Sequence, residues 1–148
     1  MNELTVFGAL SARQTEAALL RQNIVTERFG LTLSAEQCER LVERRAEALR
    51  ETERIELGEG ILPKLALALC DSPYVDAEGW EETLGVMAEL FYHFKGESGE
   101  RLSDDELLEA MARLYNGWAG GSAARLADLD GRALLRFARM GEVGDDGE

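Results

Sequence analysis

"GEGILPKLALALCDSPYV", Gly58 to Val75, is the stretch on which the fold turns. From Leu65 to Cys70 it carries no polar side chain, in a chain where 30% of the residues are charged. Pro63 suits the first turn of a helix, where a missing N–H costs nothing. Pro73 closes the segment, because the residue before a proline resists the α region. Residues 62–71 therefore read as one helix. Leu62, Leu65, Leu67 and Leu69 point in different directions around it, and a helix apolar on all sides must be covered on several of them. The expected layout is a charge-free rod near the centre of the protein, with its neighbours wrapped around it.

Helical periodicity dominates outward from this rod. A first helix is expected from about Ser11 to Arg28, with Gly30 in the left-handed position that ends it. Ser34 and Gln37 form a capping box that starts a second helix running to about Thr52. Along it Glu36–Arg40, Arg40–Glu43 and Glu47–Arg50 are spaced for ion pairs on one helix face. A fourth helix is expected from near Asp76 to Lys95, with Trp80, Leu84, Met87, Phe91 and Phe94 on one stripe. Ser103 and Glu106 form a second capping box, opening a fifth helix that buries Leu108, Met111, Tyr115 and Trp118. A short helix near 123–126 and a last one over about 132–140 follow. The only strand signal, Arg54 to Gly58, is short and isolated. The expected fold is all-α: one domain over 1–140, built of five main helices plus a short one, with the apolar helix near 62–71 at its centre. Residues 141–148 are too polar and glycine-rich to order themselves and read as a disordered acidic tail.

The net charge is −13 over 148 residues. Residues 1–33 are neutral, 34–54 carry −1, 55–100 carry −8 and 101–148 carry −4. Such a balance argues against nucleic acid, which needs a surplus of Lys and Arg on some face. It argues equally against anionic membranes. The N-terminus lacks the basic and apolar regions of a secretory signal, and no apolar run nears the ~18 residues of a membrane span. Cys38 and Cys70 form no spacing motif, so reduced thiols and a cytoplasmic location are expected.

Arg45 is the most informative single residue. At ~100° per residue it falls inside the arc of Cys38, Leu41, Val42 and Leu49. A guanidinium there has three readings: its head snorkels to water, it joins a buried ion pair with Asp71 or Glu59, or it binds an anion. Arg45, Asp71 and Tyr74 are accordingly the candidate ligand-binding residues, and no catalytic residue is assigned. A Cys70–His93 dyad is disfavoured because His93 points away from the apolar stripe. Glu89 and His93 share a helix face at i, i+4, but a single histidine cannot supply a two-metal carboxylate site, so neither metal nor cofactor is expected. Asp128-Leu129-Asp130-Gly131 fails the spacing of a calcium loop. Asp130 is better read as a helix N-cap.

The run "LTLSAEQCERLVERRAEALRETERIELGEGILPKLALALCDSPYV", together with "FYHFKGESGERLSDDELLEAM", resembles a family of uncharacterised bacterial proteins over roughly residues 30–112. The resemblance implies a bacterial cytosolic protein and agrees with a helical domain. It implies no activity, cofactor or site residue.

The expected function is that of a non-enzymatic helical interaction module whose partner is another protein or a second copy, as a homodimer. Tyr74, Tyr92 and Trp118, near helix ends or off the stripes, are the aromatic residues expected at such an interface. The alternative is a small-ligand- or metal-dependent enzyme with a site near Arg45, Asp71 and His93.

Overall fold

Two helix starts follow directly from four-residue sequence signals. Ser34 accepts a hydrogen bond from the Gln37 backbone N–H while the Gln37 side chain accepts from Ser34 N–H. Ser103 and Glu106 repeat the arrangement. Each box satisfies two amides that a helix terminus otherwise leaves orphaned. The computed structural model describes residues 3–140, with side chains from residue 8 onward. Within them lie α1 (Glu3–Thr26), a 3-10 turn (Glu27–Phe29), α2 (Ala35–Glu51), α3 (Leu62–Leu69), α4 (Trp80–Glu97), α5 (Asp104–Asn116), α6 (Ala123–Ala127) and α7 (Gly131–Met140). The expected tail, 141–148, lies outside the described residues.

The fold is all-α, as the periodicity implies, but with seven α-helices among the described residues rather than five and a short one. The two C-terminal helices form where they are expected, and the cap at Asp130 does as well: its carboxylate accepts from Ala133 N–H at 2.8 Å and starts α7 as an element separate from α6. Residues 54–57 form no strand and run as irregular backbone. At its N-terminus α1 extends to Glu3, through Gly8, well before Ser11. α4 begins at Trp80 rather than near Asp76, because Asp76 instead accepts from Gly79 N–H in a preceding turn.

α4 is the hub of the packing. It touches α2, α3, α5, α6 and α7, whereas α3 touches α1, α4 and α5. The stripe read from sequence is the reason: Trp80, Leu84, Met87, Phe91 and Phe94 are all buried. Burying side chains of this size stabilises by about 1.5–3 kcal/mol each. This corrects the expectation of a central, wrapped helix over 62–71. α3 stops at Leu69, eight residues being too few to accommodate neighbours all round. Leu62, Leu65 and Leu69 are buried, but Leu67 is 42% exposed on an open flank.

Candidate functional site

Arg45 is 4% exposed, and all three nitrogens of its guanidinium donate hydrogen bonds. Nε donates to Glu56 Oε1 at 2.6 Å, Nη1 to Thr15 Oγ1 at 3.0 Å and Nη2 to Ser11 Oγ at 2.6 Å. A longer contact of 3.4 Å joins Nη2 to the Glu56 carbonyl. Tyr92 donates its hydroxyl to the same Glu56 oxygen at 2.6 Å. Burial first, and then the Glu56 charge, raise the phenol well above the ordinary tyrosine range. Ser11 and Thr15, one turn apart on α1, pass the network on by donating to the carbonyls of Gly58 and Glu59. Four parts of the chain therefore meet here: α1, α2, α4 and the segment linking α2 to α3.

That segment needs unusual backbone. Glu53, Gly58 and Gly60 all have positive φ. At Gly60 a Cβ would also collide with the Glu56 carboxylate, so glycine both permits the turn and leaves room for the ion pair.

The partner of Arg45 is thus Glu56, not Asp71 or Glu59. Glu59 pairs with Arg21 at 3.0 Å on the surface. Asp71 is exposed just past the end of α3. Tyr74 is half-exposed and sets its ring edge-on to Tyr115, with centroids 6.3 Å apart. Beside it Ser72 donates to Asn116 Oδ1 at 2.5 Å. His93 is exposed on α4, 4.0 Å from Glu97. Each of these four residues thus has its own surroundings. Tyr92, expected at a surface, is buried instead. Trp118 is partly covered, with the Arg125 guanidinium 4.5 Å above its ring.

Both cysteines are free and buried. Burial, with the charges of Glu16 and Glu81 adding to it, pushes the Cys38 thiol up to about 11. Burial raises Cys70 as well, and Asp71 adds to it. A thiol shifted upward holds little of the thiolate that nucleophilic attack needs. No cluster of three or more His, Cys, Asp or Glu suited to a metal occurs among the described residues. Nor is any helix there long and apolar enough to cross a membrane.

Sequence reasoning also missed the ion pairs between α2 and α4. Arg40 forks onto Glu81 with two bonds of 2.9 Å rather than pairing along its own helix. Arg44 reaches Glu82 at 2.9 Å and Glu89 at 2.6 Å. This commits Glu89, the would-be metal partner of His93, to a guanidinium.

Besides the α2–α3 linker, where Ile55 and Leu57 are exposed, two apolar surfaces lie open among the described residues. One is a groove of about 550 Å³ between α3 and α5, floored by Leu67, Ala68, Leu108 and Ala112. Lys64 and Asp105 bridge its rim at 3.0 Å. The other is the outer side of α1, where Leu10, Leu20, Ile24 and Val25 are exposed, with Phe29 just beyond.

These features define a small acidic all-α domain with an internal polar clamp and apolar outer surfaces. The chain belongs to the family described as a family of unknown function (DUF6323), which matches residues 18–144. No curated protein and no solved structure matches it.

Proposed function

We propose that this protein is a non-enzymatic helical interaction module that works by binding another protein or a second copy of itself. The observation that carries the reading is where the apolar surface lies. Ten large hydrophobic side chains are exposed among the described residues, and five of them, Leu10, Leu20, Ile24, Val25 and Phe29, belong to α1 and the turn that follows it. Exposed apolar side chains gathered on one element mark interaction surfaces, whereas scattered ones do not. The groups that sequence put forward for chemistry fit the reading: Arg45 is held by side chains on three sides, and both thiols are buried. Free thiols also fit a reducing compartment, and the bacterial cytoplasm is the setting we assign.

Affinity capture of the tagged protein from its native host, followed by native mass spectrometry, tests this. A protein partner in fixed proportion, whether a different chain or an untagged copy, is the expected result. A tightly held small molecule with no protein partner would overturn the reading and favour an enzyme site near Arg45, Asp71 and His93.

A further inference from the structure

α1 has a buried inner side and an exposed outer side that also carries apolar residues. Its inner side buries Ser11, Thr15, Ala18, Leu19 and Thr26, and the helix packs on α2 and α3. Its outer side carries Leu10, Arg13, Ala17, Leu20 and Ile24, all exposed, with Glu27 continuing the series into the 3-10 turn. Positions 10, 13, 17, 20, 24 and 27 alternate steps of three and four, the spacing by which two helices mesh along a seam. Ile24, at 76% exposed, is the most open large hydrophobic among the described residues.

We propose that this outer face of α1 pairs with the same face of a second copy, the two helices running antiparallel. The proposal rests on the module reading and names its partner. Charge selects a second copy. The whole chain carries −13, yet residues 1–33 hold three Arg and three Glu and are neutral. Residues 55–100 carry −8, so faces built from them would bring acid against acid, and like charges facing each other oppose association. Charge also selects the orientation. Arg13 and Glu27 lie fourteen positions apart, about 21 Å along a helix at 1.5 Å per residue, with Leu20 midway. A two-fold axis at Leu20 places Arg13 of each copy beside Glu27 of the other. Parallel pairing would set Arg13 against Arg13 and Glu27 against Glu27.

Size sets the strength. With the axis at Leu20, α1 and its turn, which ends at Phe29, overlap the partner's over about residues 11–29, about 28 Å at 1.5 Å per residue. A strip about 10 Å wide along that overlap covers roughly 280 Å² per copy, well under half of the ~800 Å² per partner in a standard interface. The dimer is therefore weak and reversible, with Kd on the order of tens to hundreds of micromolar.

Sedimentation equilibrium of the full chain from about 5 to 500 µM tests this, a range set by that Kd. The expected result is a monomer–dimer equilibrium that Leu20→Glu weakens by roughly 30-fold or more, because two buried leucines are lost per dimer. Leu20 is exposed in the monomer, so the helical circular dichroism of the variant stays unchanged. Arg13→Glu weakens association, and Arg13→Glu with Glu27→Arg restores it. A chain monomeric throughout, or a dimer indifferent to Leu20→Glu, overturns the proposal; failure of the double exchange to restore association overturns the antiparallel arrangement. Co-sedimentation of a monomeric chain with phosphatidylserine-containing vesicles, lost in Leu20→Glu, also overturns it, in favour of a membrane surface. If the chain is monomeric but still captures a different protein from its host, this inference falls and the module reading stands. If it captures none, both fall.

Discussion

Removing one partner of the Arg45–Glu56 pair should cost far more than removing both. Arg45 is 4% exposed and the Glu56 side chain 14%. Glu56→Leu strands a guanidinium that cannot deprotonate, leaving it only the Ser11 and Thr15 hydroxyls and the residue 56 carbonyl. Breaking a buried pair in this way costs about 3–5 kcal/mol, and the Tyr92 hydroxyl loses its acceptor for ~1 kcal/mol more. Arg45→Met should cost less, about 2–3 kcal/mol, because Glu56 keeps the Tyr92 donor and is closer to solvent. Ser11 and Thr15 also keep their carbonyl acceptors. With both substitutions no charge is stranded, and the expected cost falls to about 1–2 kcal/mol, well below the sum of the singles. Urea unfolding reads all four proteins, with a changed midpoint and an unchanged m value marking a stability effect. At roughly 2–4 °C per kcal/mol for a chain of this size, Glu56→Leu should lower Tm by roughly 8–24 °C. A cost below about 1 kcal/mol for Glu56→Leu would mean that Arg45 reaches water, as snorkelling arginines do. A double variant as unstable as the sum of the singles would show that the two residues act independently, and the network argument would fail.

Two further outcomes follow from the packing and the thiols. Gly131 is buried where α7 starts against the end of α4, and a Cβ there would come within 2.5 Å of the Glu97 carbonyl oxygen. Gly131→Ala should therefore destabilise by about 1–3 kcal/mol in a thermal melt, whereas Gly8→Ala, in open space on α1, should not. Iodoacetamide at pH 8 should modify Cys38 slowly in the folded protein and rapidly in urea, because the folded thiol sits at about 11 against an ordinary 9.0. The sign of the linked stability follows: the contribution of this raised group is fully present below pH 9 and is lost as pH climbs from 9 to 11.

The sequence disclosed the features that are local in origin. Capping boxes need only four consecutive residues, and both Ser34–Gln37 and Ser103–Glu106 form as read. The α4 stripe is one helix face, and all five of its members are buried. What stayed hidden depends on how separate elements meet. Arg40 has suitable carboxylates on its own helix, so its spacing could not announce that Glu81 of α4 would take it. Leu67 belongs to an apolar run, but whether it is covered depends on how many neighbours fit around eight residues. Helical spacing places Arg45 on the buried arc of α2, but it does not identify Glu56 as its partner. Glu56 lies between Ile55 and Leu57, and the alternation of that segment turns the carboxylate inward and both apolar side chains out. One signal was available: Ser11 and Thr15 stand four apart on the buried face of α1, and paired hydroxyls there call for a polar group to receive them.

The clamp and the open flank of α3 have a common physical origin. A helix of eight residues is marginal on its own, and one left uncovered at Leu67 has less burial to hold it. α3 is instead fixed at its entrance. Arg45 grips Glu56, while Ser11 and Thr15 hold the carbonyls of Gly58 and Glu59, so the chain arrives at Ile61 already oriented. Ile61 and Leu62 are buried at that point. Because hydrogen bonds from α1 and α2 set the direction of α3, its far side need not be packed to keep it in place. The α3–α5 groove can therefore stay open without loosening the helix that forms one of its walls. The same clamp ties the inner face of α1 to the body, which leaves the outer face rigid and free to meet a partner with little ordering cost.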